Sequence, residues 1–389
     1  MSAAPANHGP DSGRSISLAR LLVAFLKIGS IGFGGGMAVI SLMEREFVGK
    51  RKLLAADEFV HGVGLGQILG SFAVNAAFFI GYRLLGMMGG ILSAAVFLLP
   101  SAVLVTGLSD MYFRYHSIPA LQGDVAGLGP VVIALILNAG WSVGRKVLRT
   151  PAAIVLAAAA LVAGALRVNA VWVLVSAGAL GFLISRERPD RSVREDPDPS
   201  PRTKVLAILP PAAGLAAILG SIGATFLKIG LVFFGGGFVL LPLLHDRLVT
   251  DLRWLSAREF LDGVAISNLT PGPIAVLATF AGYRAGGVFG AVVATIAIFT
   301  PGVGLMMFLS RQYERYRDDR RVRRFLTGVN PAVTGLVLSA AVLLGRTAMT
   351  SWRAWLFCGV SLYLLGKLRW HPAPVLAIGA AAGYLGALP

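Results

Sequence analysis

The sequence FLKIGSIGFGGG, residues 25–36, decides the fold because the chain carries it twice. Residues 226–237 read FLKIGLVFFGGG, at an offset of 201 positions, so the lysine and the glycine triplet recur in register. Both copies lie within apolar runs, where a lysine and three adjacent glycines are costly unless a site uses them. The repeated element is therefore predicted to form the substrate site, with the rest of the chain positioning it.

The composition predicts an all-α polytopic membrane protein. Of the 389 residues, 56% are hydrophobic and only 14% are charged, whereas soluble proteins carry roughly a quarter charged residues. The apolar residues fall in runs of about 15 to 25, the length that crosses a hydrocarbon core. The basic residues behind the net charge of +16 lie mostly between these runs, where they contact membrane lipid and set topology. No nucleic-acid partner is therefore expected.

A polar stretch divides the chain into two homologous membrane repeats of six segments each. Residues 186–204 hold six basic residues, five acidic residues and four prolines, which predicts a solvated linker. The first repeat covers 18–185 and the second 221–389, while 205–220 is an extra membrane segment and 1–17 a disordered N-terminus. The landmarks that keep the offset of 201 include Gly81-Tyr82-Arg83 and Gly282-Tyr283-Arg284, Pro100 and Pro301, and Arg145 and Arg346.

The charges indicate that the second repeat is inverted. The loop after the third apolar run carries one arginine, Arg114, in the first repeat but seven between Arg311 and Arg324 in the second. By the positive-inside rule the second loop is cytoplasmic, together with the N-terminus and the linker. Six crossings per repeat and one more at 205–220 predict thirteen crossings and invert the second repeat. This scheme places Lys50-Arg51-Lys52 outside; if the glycine-broken run re-enters instead of crossing, that loop moves inside and the count changes.

The broken helices at the glycine triplets form the first predicted part of the substrate site. A helix that breaks there leaves backbone N–H groups unpaired, and an anion can approach them closely because glycine has no side chain. Each lysine lies seven residues before the first glycine, about two helical turns, on roughly the same face. The alternative is a flexible packing contact, with lysines that extend towards the interface. The predicted residues are Lys27, Gly34, Gly35 and Gly36 in the first repeat and Lys228, Gly235, Gly236 and Gly237 in the second.

The second predicted part is the segment SNLTPGPIAVLATFAGYRAG, residues 267–286. Its two prolines flank a glycine and cannot continue a helix, so polar backbone groups are freed beside hydroxyl and amide side chains. The first repeat lacks both prolines, so we expect an asymmetric site. A kink for packing is the alternative, as is an interfacial anchor for the arginine near the end of the segment. The predicted residues are Asn268, Thr270, Pro271, Gly272, Pro273 and Arg284, with Ser71 and Asn75 from the first repeat.

No enzyme signature accompanies these segments. The sequence lacks HExxH, CxxC and Walker patterns, so it predicts no catalytic residues, no metal site and no cofactor. Five groups could serve proton coupling, but they lie near the ends of apolar runs, where a solvated cap is the commoner role. They are His61, Asp262, Glu44, Glu58 and Glu259. A secondary transporter for a tetrahedral oxyanion is favoured over a membrane enzyme, with an anion channel as the further alternative.

These residues resemble the chromate ion transporter family. The resemblance is carried by FGGG after an FLKIG helix, by TPGPIA, by GYRAGG and by FTPG at 299–302, and it covers both halves. The first half departs from the family pattern at Gly70-Ser71, where the pattern has PGP. The resemblance implies a two-domain carrier that exports chromate across the bacterial inner (plasma) membrane, driven by protons or the membrane potential. Sulfate has the same charge and shape and stays an alternative substrate, and a homodimer stays open.

Overall fold

The protein is helical throughout the part of the chain that the computed structural model describes. This part comprises residues 16–32, 36–56, 58, 59, 62, 63, 66, 71–115, 127–166, 168, 170–184, 215–232, 240–311 and 320–384. The first repeat forms α1 (Leu18–Ile31), α2 (Gly36–Glu44), α3 (Phe72–Tyr115), α4 (Leu128–Val147), α5 (Pro151–Ala165) and α6 (Ala170–Ile184). The second forms α7 (Leu215–Val232), α8 (Leu240–His245), α9 (Ala257–Leu269), α10 (Leu277–Arg311), α11 (Arg320–Ala348), α12 (Trp352–Gly366) and α13 (Pro372–Tyr384).

The predicted domain boundaries meet the described residues at two places. The boundary drawn after residue 17 lies directly before Leu18, where α1 begins. The boundary drawn after residue 220 falls inside α7, so residues 215–220 form the first turns of that helix. The rest of the predicted extra segment, the linker and the N-terminus up to residue 15 lie outside the described residues. Their assignments stay predictions.

The repeated FLKIG element is one arm of a helical hairpin. α1 ends before the glycines, and α2 runs back beside it and continues as a π-helical turn over Arg45–Lys50. The rings of Phe25 and Phe47 stack with their centroids 5.0 Å apart, and Gly32 faces Val39. Residues on either side of the break are thus neighbours, and the two arms are antiparallel.

This hairpin corrects the predicted crossing over residues 18–43. α1 has 14 residues, about 20 Å of helix, which reaches only part of the way through a hydrocarbon core of about 30 Å. The run therefore re-enters, the alternative that the sequence left open, and the count of thirteen crossings does not hold. The second repeat builds its counterpart from α7 and α8, where the rings of Phe226 and Trp254 meet with centroids 6.3 Å apart. Re-entry also brings Lys50-Arg51-Lys52 to the side on which α1 begins.

A second hairpin follows in each repeat, and in the second repeat the PGP segment is its tip. α9 starts with a capping box, the chain turns through Pro271–Pro273, and the beginning of α10 runs back beside α9. Gly263 faces Phe280, and Glu259 pairs with Arg284 at the base of the hairpin. Residues equidistant from the break are again neighbours.

The first repeat has the same hairpin although it lacks the prolines. Gly62 faces Phe79, and Glu58 pairs with Arg83, both at the positions that the offset of 201 predicts. The two repeats therefore share the frame of this hairpin and differ at its tip.

α3 and α10 each contain a sharp turn that separates a short first arm from a long second arm. In α3 the turn lies at Leu85–Gly86, where Gly86 has a φ of 70°, a conformation that glycine adopts without steric cost. Across this turn Gly81 contacts the backbone of Gly89, so the arms are antiparallel and tightly packed. α10 turns in the same way at Gly286–Gly287.

Four described stretches are long and apolar enough to cross a membrane: Ala73–Tyr115, Leu128–Arg145, Ile274–Phe308 and Thr327–Ala348. Two of them contain the sharp turn, so the crossing part is the second arm, residues 87–115 in α3 and 288–311 in α10. Large apolar side chains cover the outside of these arms, as lipid contact requires. Among them are Leu99, Val103, Val292 and Ile296. The protein is a multi-pass membrane protein.

The two repeats run in opposite directions. α4 and α11 are equivalent helices that lie side by side, and their contacts pair the start of one with the end of the other. Gly129 faces Ala348, whereas Gly144 faces Thr334. Equivalent helices that pack antiparallel define an inverted repeat, the plan that the arginine asymmetry predicted. The predicted fold class is confirmed.

Helices of each repeat cover one helix of the other, α4 or its equivalent α11. α5 and α6 of the first repeat pack against α11, and α12 and α13 of the second repeat pack against α4. Gly328 contacts the carbonyl of Ala177, and Gly127 contacts that of Gly379. Glycine at these crossings lets the backbones approach directly, as in other packed membrane helices. The core of the protein is therefore shared between the repeats.

Candidate functional site

The tips of two hairpins meet beside the middle of the second arm of α3. The amide of Gly272, at the PGP tip of the second repeat, donates to the carbonyl of Gly32, at the end of α1, over 3.2 Å. Gly272 also faces the hydroxyl of Ser101, which lies halfway along residues 87–115. A point halfway along a crossing helix lies near the membrane midplane, where carriers with inverted repeats place their substrate sites.

Gly272 is a position that requires glycine. Its φ is +118°, and a methyl group there would lie 2.6 Å from the Ser101 hydroxyl oxygen. Pro271 and Pro273 on either side are buried and have no N–H. The prolines therefore contribute no donor, and the one amide between them binds Gly32 and holds the two hairpins together.

Three polar side chains at the end of α9 stabilise its last turn. Ser267, Asn268 and Thr270 each donate to a carbonyl three or four residues earlier, over 2.7, 2.8 and 3.1 Å. A hydroxyl has one proton, so an anion here competes with the helix carbonyl for it, whereas the Asn268 amide has a second proton. Ser267 and Thr270 are buried and Asn268 is half-buried.

The first repeat has a buried hydroxyl at the equivalent position. Ser71 immediately precedes α3, its side chain is 7% exposed, and its hydroxyl has no hydrogen-bond partner in the described part of the chain. The first amides of a helix lack intrahelical acceptors and carry partial positive charge. Asn75, one turn further, is buried and donates to the carbonyl of Gly66 over 3.3 Å, which fixes α3 to the preceding arm. A buried donor beside a helix N-terminus suits an anion.

The charged residues predicted for the site lie apart from these tips. Arg284 stands at the base of its hairpin, paired with Glu259 and with its guanidinium 5.4 Å from the ring centroid of Phe113. Lys27 and Lys228 are exposed, on faces of α1 and α7 that also carry exposed leucines and isoleucines. This outward position agrees with lysines that act from a distance or extend to the interface.

The glycine triplets are described at one position only. Gly36 is the first residue of α2 and is half-buried, so a helix N-terminus begins at the end of the triplet, as predicted for a broken helix. The remaining triplet residues, Gly34, Gly35, Gly235, Gly236 and Gly237, lie outside the described residues.

Two tyrosine–aspartate pairs between the repeats were not predicted. Asp262 is 2% exposed and therefore is not a solvated cap, and Tyr112 of the first repeat donates to it over 2.6 Å. Beside it, Tyr283 of the second repeat donates to Asp110 of the first. Both pairs join the base of the α9–α10 hairpin to the end of α3. The sequence carries no signal that pairs these positions, because each partner lies in the other repeat.

Inverted repeats with re-entrant hairpins that meet near mid-depth define the class of this protein, a multi-pass membrane transport protein. The family model described as chromate transporter matches residues 19–182 and 220–384, one match on each repeat. The chain belongs to the chromate transporter family.

Three curated relatives span nearly the whole chain. The probable chromate transport protein of Synechococcus elongatus is 31% identical over 382 residues, 95% of each chain. The chromate transport protein of Cupriavidus metallidurans is 28% identical over 384 residues, 96% of this chain and 94% of the relative. That of Pseudomonas aeruginosa is 29% identical over 388 residues, 95% and 92% of the two chains. No solved structure matches this chain.

Proposed function

We propose that this protein is a secondary active transporter that exports chromate across the inner (plasma) membrane and thereby gives chromate resistance. The driving force is the proton gradient or the membrane potential. Relatives named as chromate transport proteins support the substrate. The inverted repeats support a carrier, because two such halves can rock about a central site and expose it to each side in turn.

The observation that carries the proposal is the meeting of two broken hairpins at Gly272 and Gly32, together with a buried hydroxyl at the equivalent tip position, Ser71, that has no partner among the described residues. Chromate is a doubly charged tetrahedron whose oxygens only accept hydrogen bonds, so its site needs donors and positive potential. Ser71 at the N-terminus of α3 provides both, and by the offset of 201 it holds in the first repeat the position that Gly272 holds at the PGP tip. The proposed contact residues are Gly34, Gly35, Gly36, Ser71, Asn75, Gly235, Gly236, Gly237, Asn268 and Thr270, while Pro271, Gly272 and Pro273 form the tip that holds the two hairpins together. Lys27, Lys228 and Arg284 act on the anion through their charge.

The distribution of charge assigns the orientation of the proposed carrier. The second arm of α3 starts at the side of Lys50-Arg51-Lys52 and ends at Tyr115 on the opposite side, with Asp110 in its last turns. The second arm of α10 runs the other way and ends at Arg311, just before the arginine-rich start of α11. Basic residues thus gather on one side, which the positive-inside rule makes cytoplasmic. The Asp110 side then faces away from the cytoplasm.

Flux of radiolabelled chromate into inside-out membrane vesicles tests the proposal. We expect energised vesicles that contain the protein to accumulate chromate above its external concentration, and an uncoupler to abolish this. Vesicles from cells without the protein are the control. Flux that never exceeds equilibration would make the protein a channel, and accumulation of sulfate without chromate would assign the other oxyanion.

A further inference from the structure

Asp262 is a buried carboxyl that is not among the residues proposed to bind the anion. It lies where α9 packs against α3 and the first arm of α10, and it is separated from the PGP tip by more than two turns of helix. An ionised carboxylate in such surroundings is costly, and binding a proton removes that cost. The hydroxyl of Tyr112, 2.6 Å from Oδ2, favours the ionised form. The carboxyl can therefore exist with or without a bound proton.

The titratable groups around Asp262 come from several elements. The groups that face Asp262 or its immediate neighbours are Tyr112 and Asp110 on α3, Arg258 and Glu259 on α9, Tyr283 on α10, and His245 on α8. The ring of His245 contacts the ring of Phe260. α4, α11 and α13 also pack against α9. Arg145 and Arg346, near the ends of α4 and α11, are exposed, and α13 has no Asp, Glu, Lys, Arg or His. Asp262 is the buried carboxyl of this group.

We propose that Asp262 is the site where the coupling proton binds during chromate export, an inference that rests on the proposed function. A proton from the non-cytoplasmic side forms an O–H bond with the carboxylate and is released on the cytoplasmic side after the repeats rearrange. Glu259, one turn nearer the surface and paired with Arg284, marks the entrance. No bond to chromate forms or breaks.

The link to the anion site is a single helix. α9 runs without interruption from its surface cap past Asp262 to the PGP tip, where Gly272 binds Gly32. Tyr112 belongs to the other repeat, so protonation of Asp262 weakens a contact between the repeats. A rigid helix transmits that change to the tip, which couples proton binding to the position of the anion site.

Purified protein in proteoliposomes tests this role with three variants. Asp262→Asn is expected to keep chromate–chromate exchange, which needs no net proton movement, and to lose accumulation driven by a pH gradient with the potential clamped. Asp110→Asn, which alters the neighbouring tyrosine–aspartate pair, is the matched control and is expected to keep both. Tyr112→Phe is expected to move the pH profile of gradient-driven transport to higher pH by about one unit, because the phenol no longer stabilises the carboxylate.

Each outcome decides between the proton site and the proposed function. Gradient-driven accumulation by Asp262→Asn at the wild-type rate overturns the proton site. Wild-type protein that accumulates chromate with a potential but not with a pH gradient overturns it as well, while the proposed function stands. Wild-type protein that moves no chromate refutes the proposed function, and the same assays with sulfate then test Asp262. If Asp262→Asn does not fold, an unchanged pH profile in Tyr112→Phe overturns the inference.

Discussion

The second hairpins of the two repeats have the same base and different tips. Glu58 pairs with Arg83 in one, and Glu259 pairs with Arg284 in the other, so the duplicated frame is preserved. At the tips, the amide of Gly272 is bound to the first repeat, whereas the hydroxyl of Ser71, at the equivalent position, has no partner among the described residues. The two repeats thus share one scaffold, while one tip joins the repeats and the other is the tip that we propose binds the anion.

The residue at the tip and the residue on the long helix arm also differ between the two repeats. The tip residue Gly272 faces Ser101 on the second arm of α3. By the offset of 201, the tip residue Ser71 corresponds to Gly272, and Ser101 corresponds to Gly302 on α10. Serine and glycine have traded places between tip and helix.

The largest effect is expected from Gly272→Ala. The alanine would have to keep a positive φ, and its methyl group would lie 2.6 Å from the Ser101 oxygen. This strain costs about 1–3 kcal/mol and displaces the tip. Chromate flux at matched membrane levels should fall by up to roughly a hundredfold, the rate equivalent of the upper end of that strain. Gly304→Ala on α10 is the control, because open space surrounds that glycine. Equal flux in both variants would remove the tip contact from the mechanism.

Ser71→Ala should come next. Loss of a hydrogen bond to a charged ligand costs about 1.5–3 kcal/mol, so the apparent affinity for chromate should weaken by roughly tenfold to a hundredfold. Ser93→Ala is a matched control, because Ser93 is also a buried, unpaired hydroxyl but lies on the second arm of α3. Concentration dependence of initial flux measures the difference. An equal change in both variants would show that Ser71 acts in packing.

The glycine triplets should give a smaller and asymmetric effect. Gly236→Ala adds one methyl group where an anion is proposed to approach the backbone, and we expect about tenfold weaker affinity with normal expression. Gly35→Ala should weaken affinity less, because the segment paired with it lacks the prolines. Flux and affinity of the two variants at matched levels provide the comparison. A stability gain with normal transport in Gly236→Ala would mean that the triplet serves packing.

The smallest effect is expected at Lys228. Its side chain is exposed, so its attraction for an anion is screened, and Lys228→Ala should lower the transport rate by only about two- to threefold at low salt. Lys228→Arg keeps the charge and should transport normally. A difference between the two variants that persists at high ionic strength would instead place the lysine in direct contact with the substrate.

The sequence predicts the repeats and their inversion well, because hydropathy, the offset of 201 and the arginine asymmetry are properties of the chain itself. It does not reveal that residues 18–43 re-enter. A run of that length suits one crossing, and the contacts of Phe25 with Phe47 and of Gly32 with Val39 are what show that it folds back. The break at the glycines is visible in the sequence, but the direction of the chain after a break depends on tertiary packing.

The candidate site is predictable in its residue types and not in its pairings. The PGP segment and Ser71 stand out as breaks and donors in apolar runs. The partner of the Gly272 amide lies in α1, and the partner of Asp262 lies in α3, both in the other repeat. Proximity to the end of an apolar run therefore suggested a solvated Asp262, whereas the second arm of α3 buries it.

Because each repeat supplies the helices that cover a central helix of the other, neither half of the chain should be stable alone. A half-molecule would expose the glycine-lined face of α4 or of α11, because the helices that cover each of them belong to the opposite half. Two polypeptides made separately from residues 1–195 and 196–389 should then assemble like the subunits of a heterodimer, while either one alone is degraded. In the intact chain the linker acts as a tether that raises the effective concentration of each half for the other.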